Sequence, residues 1–121
     1  MSNTDTSMIS FTAAAIQMSI SLLDVETNLN QSLELMTSAV AAGARLLVLP
    51  ELCTSGYVFD DRNELDAVAE DVPNGIACQA WIHFAAKNNV YISAGIPERH
   101  EDKVYNSAVL IGPAGLVSRD R

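Results

Sequence analysis

Positive charge is what this chain has least of. Seven Lys and Arg stand against fifteen Asp and Glu, giving a formal net charge of -8 and a pI near 4.4. So acidic a chain makes nucleic acid and an anionic membrane surface poor partners. No Lys or Arg precedes Arg45, so no positive n-region opens the sequence and no secretory signal is expected. Asn30-Gln31-Ser32 matches a glycosylation sequon and, without such a signal, is read as chance. Long hydrophobic runs are missing too, and the longest falls well short of a membrane span. Only two cysteines occur, Cys53 and Cys78, too few for a disulfide framework. Both read as reduced thiols in a cytoplasmic protein. With His83 and His100 they form no paired ligand spacing, so no metal site is expected, and His83 reads as a helix-surface residue.

What is present is enough for one domain. A chain of 121 residues with 49% hydrophobic content can bury a real core but not two. Met1 to Ser10 is polar and aperiodic and reads as a mobile leader. Phe11 to Met18 reads as a first strand near the sheet centre. Asp24 suits a helix N-cap, and Leu29, Leu33, Met36 and Val40 recur on one helical face. Gly43 supplies a left-handed stop. Leu46 to Leu49, an unbroken aliphatic run closed by Pro50, reads as a strand buried on both faces. Strand, helix and strand in that order predict a βαβ unit with a parallel pair.

Farther along, Asn63 to Ala69 predicts a short helix whose acidic neighbours, within 60–71, form a solvated face. After a turn at Pro73-Asn74-Gly75 comes a helix from Ile76 to Lys87, with Ile76, Ala80, Trp81, Phe84 and Ala85 able to face a sheet. Val90 to Ile96 predicts a strand closed by Pro97. A charged turn, 98–103, leads into an antiparallel return from Lys103 to Ile111. Gly112-Pro113-Ala114-Gly115 is a tight turn without the spacing of a phosphate-binding loop, and Leu116 begins a last strand.

The chemically suggestive stretch is Leu49-Pro50-Glu51-Leu52-Cys53-Thr54-Ser55-Gly56-Tyr57. A carboxylate just beyond a buried strand occupies the place where open α/β sheets carry their sites. On position alone Glu51 reads more readily as a solvated loop carboxylate, and Cys53, two residues on, as either a nucleophile or a partly buried free thiol. Leu49-Pro50-Glu51-Leu52 with Ser55-Gly56-Tyr57 resembles the first catalytic block of the nitrilase, or carbon–nitrogen hydrolase, superfamily. The resemblance extends to Ala14-Ala15-Ile16-Gln17, Ala94-Gly95-Ile96-Pro97-Glu98 and Tyr105-Asn106-Ser107-Ala108-Val109. It covers 11–121.

That resemblance implies an α/β fold: the N-terminal half of a four-layer αββα sandwich, a mixed sheet with helices on one face. It implies hydrolysis of a small amide, nitrile or carbamoyl compound with no cofactor, in homo-oligomers. Glu51 takes the position of the general base, which activates a Cys thiol while a Lys stabilises the developing negative charge. Tyr57 and Phe59 become candidate pocket walls, with loop packing an equal alternative. Members of the family continue the last strand into a Tyr-Arg-Lys block; here Asp120 stands at the Tyr, Arg121 at the Arg, and the Lys would come next. Neither Lys87 nor Lys103 matches that position, and the nucleophile lies farther downstream. The expectations are therefore a chain truncated before its Lys and Cys blocks, inactive alone, with one sheet face exposed and prone to self-association. A non-catalytic half-domain that binds a partner, and a small doubly wound binding domain, are the alternatives.

Overall fold

The computed structural model describes residues 8–121; of the expected leader, 1–7 lie outside the described residues, while Met8 to Ser10 are exposed and have no regular structure. Five strands and three helices follow: β1 (Thr12–Ala15), α1 (Val25–Ala41), β2 (Ala44–Val48), α2 (Arg62–Val68), α3 (Ile76–Asn88), β3 (Tyr91–His100), β4 (Lys103–Gly112) and β5 (Gly115–Asp120). The strands form one sheet in the order β1-β2-β3-β4-β5. The β1–β2 and β2–β3 pairs are parallel, the β3–β4 and β4–β5 pairs antiparallel. The expected mixed sheet with helices on one face is thus what forms.

Local chemistry explains each boundary. Asp24 caps α1, its carboxylate accepting from the Thr27 amide at 3.1 Å; those hydrogen bonds hold the Asp24 carboxyl below its ordinary value. Gly43 follows the helix at φ +99, a conformation that a Cβ disfavours, and its amide donates to the Val40 carbonyl at 2.9 Å. Asp61 caps α2 through the Glu64 amide at 3.0 Å. Asn89, in the left-handed region, ends α3.

The core lies between the sheet and helices α1 and α3. Leu47, Ile92, Ile96, Val109 and Ile111 from the strands meet Met36 and Trp81 from the helices, all of them buried. Ser32 belongs to that buried face, and its hydroxyl accepts from Trp81 Nε1 at 3.0 Å, joining α1 to α3.

The molecule differs from the sequence reading at several places. Among the described residues β1 is an edge strand and shorter than expected, with Phe11 63% exposed; three successive alanines bring too little apolar area to demand a central place. The second strand is buried on one face only: Leu47 and Leu49 face the helices, while Val48 is 39% exposed on the other side. Ile76, 69% exposed, lies out of phase with the buried stripe of α3, which runs through Ala77, Cys78, Trp81, Phe84 and Ala85.

Nor does Pro97 end its strand; β3 runs on to His100, paired with β4 throughout. On the edge of β3 away from β4, loops replace a strand: the Pro97 carbonyl accepts from Glu70 and the Arg99 amide donates to the Glu70 carbonyl. Proline costs no ladder bond at such an edge. Glu98 is consequently a buried strand residue rather than part of a turn. Glu70, read as solvated, is also buried, its carboxylate accepting from the Ala77 and Cys78 amides at 3.1 and 3.0 Å.

Candidate active site

Glu51 begins one turn beyond β2 and is pinned there by backbone. Leu49 donates to the Ser93 carbonyl at 2.8 Å, Gly95 to that of Pro50 at 3.2 Å, and Cys53 to that of Gly95 at 2.9 Å. The connection therefore lies directly on β3. Such closeness needs glycine at 95: a Cβ there would stand 2.7 Å from Glu51 Cα and 2.8 Å from the Leu52 nitrogen. Immediately after the carboxylate, Leu52 adopts φ +46, a backbone conformation that an L side chain occupies only when its surroundings enforce it.

What enforces it is the loop 52–56, closed by the Ser55 and Gly56 amides on the Leu52 carbonyl. Asn28 of α1 secures it, donating through Nδ2 to the Thr54 carbonyl at 2.9 Å and to that of Ser21 at 2.7 Å, while its Oδ1 accepts from the Ser21 amide at 2.8 Å. Asn28 is fully buried. One polar residue thus replaces an apolar one on the helix face so that the loop's backbone polar groups are satisfied.

The Glu51 side chain is exposed and accepts from Asn106 Nδ2 of β4 through Oε1. It opens into a cleft of about 410 Å³ lined by Ser93 and Gly95 of β3, Asn106 and Ala108 of β4, and Asp120 and Arg121 at the end of β5. A larger hollow of about 910 Å³, bordered by Phe11, Arg45, Tyr91 and Leu110, lies at the opposite ends of the parallel strands. No carboxylate or thiol lines it, whereas Glu51 lines the smaller cleft.

Behind the cleft lies a second carboxylate. Glu98, 1% exposed, accepts from Ser107 Oγ at 2.8 Å, from Arg121 at 3.0 and 3.2 Å, and pairs with Arg119 at 3.2 Å. Burial raises its carboxyl, but Arg121, Ser107 and Arg119 outweigh burial and hold it below the ordinary range. The Arg121 guanidinium also lies 5.1 Å from the Tyr105 ring centre. Arg121 lines the cleft with its charge already committed.

The cysteines offer no nucleophile. Cys53 and Cys78 are fully buried, and desolvation pushes each thiol up to about 12, so the reactive thiolate is suppressed. Cys53 is more buried than the partly buried thiol its position suggests. Tyr57 is 71% exposed and Phe59 half-buried; neither lines the Glu51 cleft. Among the described residues no group of three His, Cys, Asp or Glu side chains is arranged to hold a metal ion, and no helix is long and apolar enough to cross a membrane. Sequence reasoning missed Asn106 as a partner of Glu51, although the block containing it was visible, because a register linking β3 to β4 is needed to place it there.

The carbon–nitrogen hydrolase family profile matches residues 12–121. The chain belongs to that family. Among curated members of the carbon–nitrogen hydrolases, a nitrilase of Pyrococcus abyssi is 37% identical over 108 residues, covering 89% of this chain and 41% of that one. The omega-amidase NIT2 of Danio rerio is 33% identical over 111 residues, covering 91% and 38%. The chain therefore spans about two fifths of the length of these relatives. Solved structures agree on the fold. An N-terminal amidase bound to an Asn-Glu-Ala peptide superposes with a TM-score of 0.81 at 21% identity, covering 93% of this chain and 28% of that one. Nit3 of Saccharomyces cerevisiae, of the nitrilase superfamily, gives 0.76 at 24% identity, covering 90% and 42%. The sheet and its helices are thus one part of a nitrilase-like αββα sandwich.

Proposed function

We propose that residues 11–121 are the general-base portion of a hydrolase that cleaves a small amide, nitrile or carbamoyl compound by a Glu–Lys–Cys mechanism. The supporting observation is the Glu51 carboxylate, fixed at the end of β2 and open to a cleft, in a chain of this family. Glu51 takes the proton from a cysteine thiol, and the sulfur lone pair forms a bond to the carbonyl or nitrile carbon. The π pair moves onto oxygen or nitrogen, where a Lys ammonium stabilises it. With an amide, the amine leaves with the proton returned by Glu51, and water then releases the acyl group. With a nitrile, water first adds to the thioimidate, ammonia leaves, and a second water releases the acyl group. Tyr57 and Phe59, which follow Glu51 on the same segment, are assigned as outer pocket walls on position alone.

This chain offers no other residue for the two remaining roles. Lys87 closes α3 and Lys103 begins β4 at the far hairpin, while both cysteines are buried. A polypeptide of these 121 residues by itself therefore has no amidase or nitrilase turnover. The test is the intact mass of the source polypeptide, with its reading frame past Arg121. If the frame supplies a Lys and a downstream Cys, Glu51→Gln in that polypeptide abolishes turnover while leaving its unfolding midpoint in place. Full activity in Glu51→Gln would overturn the assignment.

A second reading, a non-catalytic half-domain, is favoured by the sheet face opposite the helices, where Val48 and Tyr91 are 39% and 49% exposed. Its mark is a soluble, monodisperse dimer of the 121-residue polypeptide with no complementing chain.

A further inference from the structure

We infer that Asn106 is a positioning residue for the general base, acting by occupying one carboxylate oxygen so that the other carries the proton. The inference rests on the general-base reading of Glu51 and extends it to a residue that the reading leaves without a role.

Asn106 lies opposite Pro97 in the β3–β4 register, and its side chain is on the exposed, cleft-lining side of β4. Its Nδ2 donates to Glu51 Oε1. A carboxamide nitrogen donates only, so Glu51 Oε1 is the acceptor in this contact. Oε2 makes no hydrogen bond within the described chain. The two oxygens therefore differ: Oε1 is the anchor, and Oε2, with no hydrogen bond within the described chain, is the one available to a proton from a thiol. When the thiol S–H bond breaks, the new O–H forms at Oε2 while N–H···Oε1 persists, and the carboxyl group keeps its orientation for returning that proton to the leaving amine.

Neighbouring residues show that orientation is the quantity at stake. The Glu51 backbone is locked onto β3 through Gly95 and Pro50, but nothing in that lock fixes the side-chain torsions of an exposed glutamate, which sample several rotamers when free. Asn106 is the side chain recorded as holding them. It also stands on a rigid support: the next residue, Ser107, points to the opposite face of β4 and donates to buried Glu98 at 2.8 Å. The donor is thus fixed by a strand that is itself tied down one residue away.

Where the reading frame past Arg121 supplies the Lys and Cys, the experiment uses that polypeptide with an amide substrate. Asn106→Ala and Asn106→Asp are compared with the parent and with Glu51→Gln. Loss of a positioning contact costs on the order of 10²-fold in rate, so kcat falls to that extent in both Asn106 variants with KM within about twofold and the unfolding midpoint unchanged. Asn106→Asp keeps the shape but presents oxygen instead of N–H, so it separates donation from packing. Parent-like kcat in Asn106→Asp, or a raised KM with intact kcat in Asn106→Ala, would overturn the inference. Turnover retained in Glu51→Gln would instead remove the general-base reading beneath it.

A second measurement needs no turnover and uses the 121-residue chain. The Asn106 side-chain amide protons exchange more slowly than those of exposed asparagines, and their resonances move in Glu51→Gln. Exchange at the free-asparagine rate, unaffected by that substitution, would also overturn the inference.

Discussion

At the scale of single residues, two positions near the cleft make the sharpest predictions. Gly95→Ala forces a methyl group against the backbone of Glu51 and Leu52, which a flexible side chain cannot relieve. Overpacking of this kind costs about 1–3 kcal/mol, read as a lower urea midpoint. The displaced Glu51 also loses its Asn106 contact, so the side-chain resonances of Asn106 shift with it. Glu98 governs acid behaviour. Its folded carboxyl lies below its ordinary value of 4.5, so its stabilising effect is complete above that value and is lost as pH falls through the folded one. Glu98→Gln leaves Arg119 and Arg121 without their shared counter-charge, although the partial exposure of both arginines keeps the loss below that of a fully buried pair. Denaturant titrations across the acid range should show a lower plateau in the variant and a flatter acid limb. Neither residue announced its role in the sequence. Glu98 follows a proline and sits among charges, a pattern that reads as a turn until the pairing of β3 with β4 shows a buried strand.

At the scale of elements, α3 starts where it does because Glu70 stands beneath it. The Glu70 carboxylate takes the place of a side-chain cap by accepting from the Ala77 and Cys78 amides, and Gly75 is the residue that lets it approach. A Cβ at 75 would meet Glu70 Oε2 at 2.3 Å. Glu70→Ala accordingly removes a helix cap and costs about 1–2 kcal/mol, measurable by thermal unfolding. Glu70 titrates in the opposite sense from Glu98. Burial raises its carboxyl above 4.5 despite those hydrogen bonds, so its contribution is complete below the unfolded value and falls as pH rises through the folded one. Replacing it by Gln therefore flattens the stability profile above about pH 4.5, the window in which Glu98→Gln lowers the level without changing the slope.

The elements themselves were largely legible: periodicity located α1 and α3, and the strand–helix–strand order foretold the parallel β1–β2 pair. What could not be read was the phase of α3 or the way β3 passes through Pro97. Both depend on partners distant in the chain. Ile76 is as apolar as the buried residues beside it, and only packing against β4 decides which of them faces inward. Glu51, the base we propose, is singled out by its motif, whereas Asn28 and Asn106, which hold its loop and its side chain, look like ordinary polar residues.

At the scale of the whole molecule, the sheet has one covered face and one open face. Leu46, Val48, Tyr91 and Leu110 lie on the face away from the helices, and apolar surface of this kind favours association. The 121-residue polypeptide should therefore show concentration-dependent association in sedimentation velocity, and Val48→Lys should shift it toward monomer without lowering its unfolding midpoint. Association unaltered by that substitution would place the contact elsewhere. The strand order has a different consequence, one concerning time. Each strand lies beside the one made just before it, so none has to wait for a later segment to supply its neighbour. The β3–β4 and β4–β5 closures are short hairpins and quick ones, whereas the parallel β2–β3 pair closes only once the intervening loop and helices have been made. A ribosome delivering this chain from its amino end would release the sheet in the order in which it can assemble, with Glu51 set against β3 before the last hairpin has emerged.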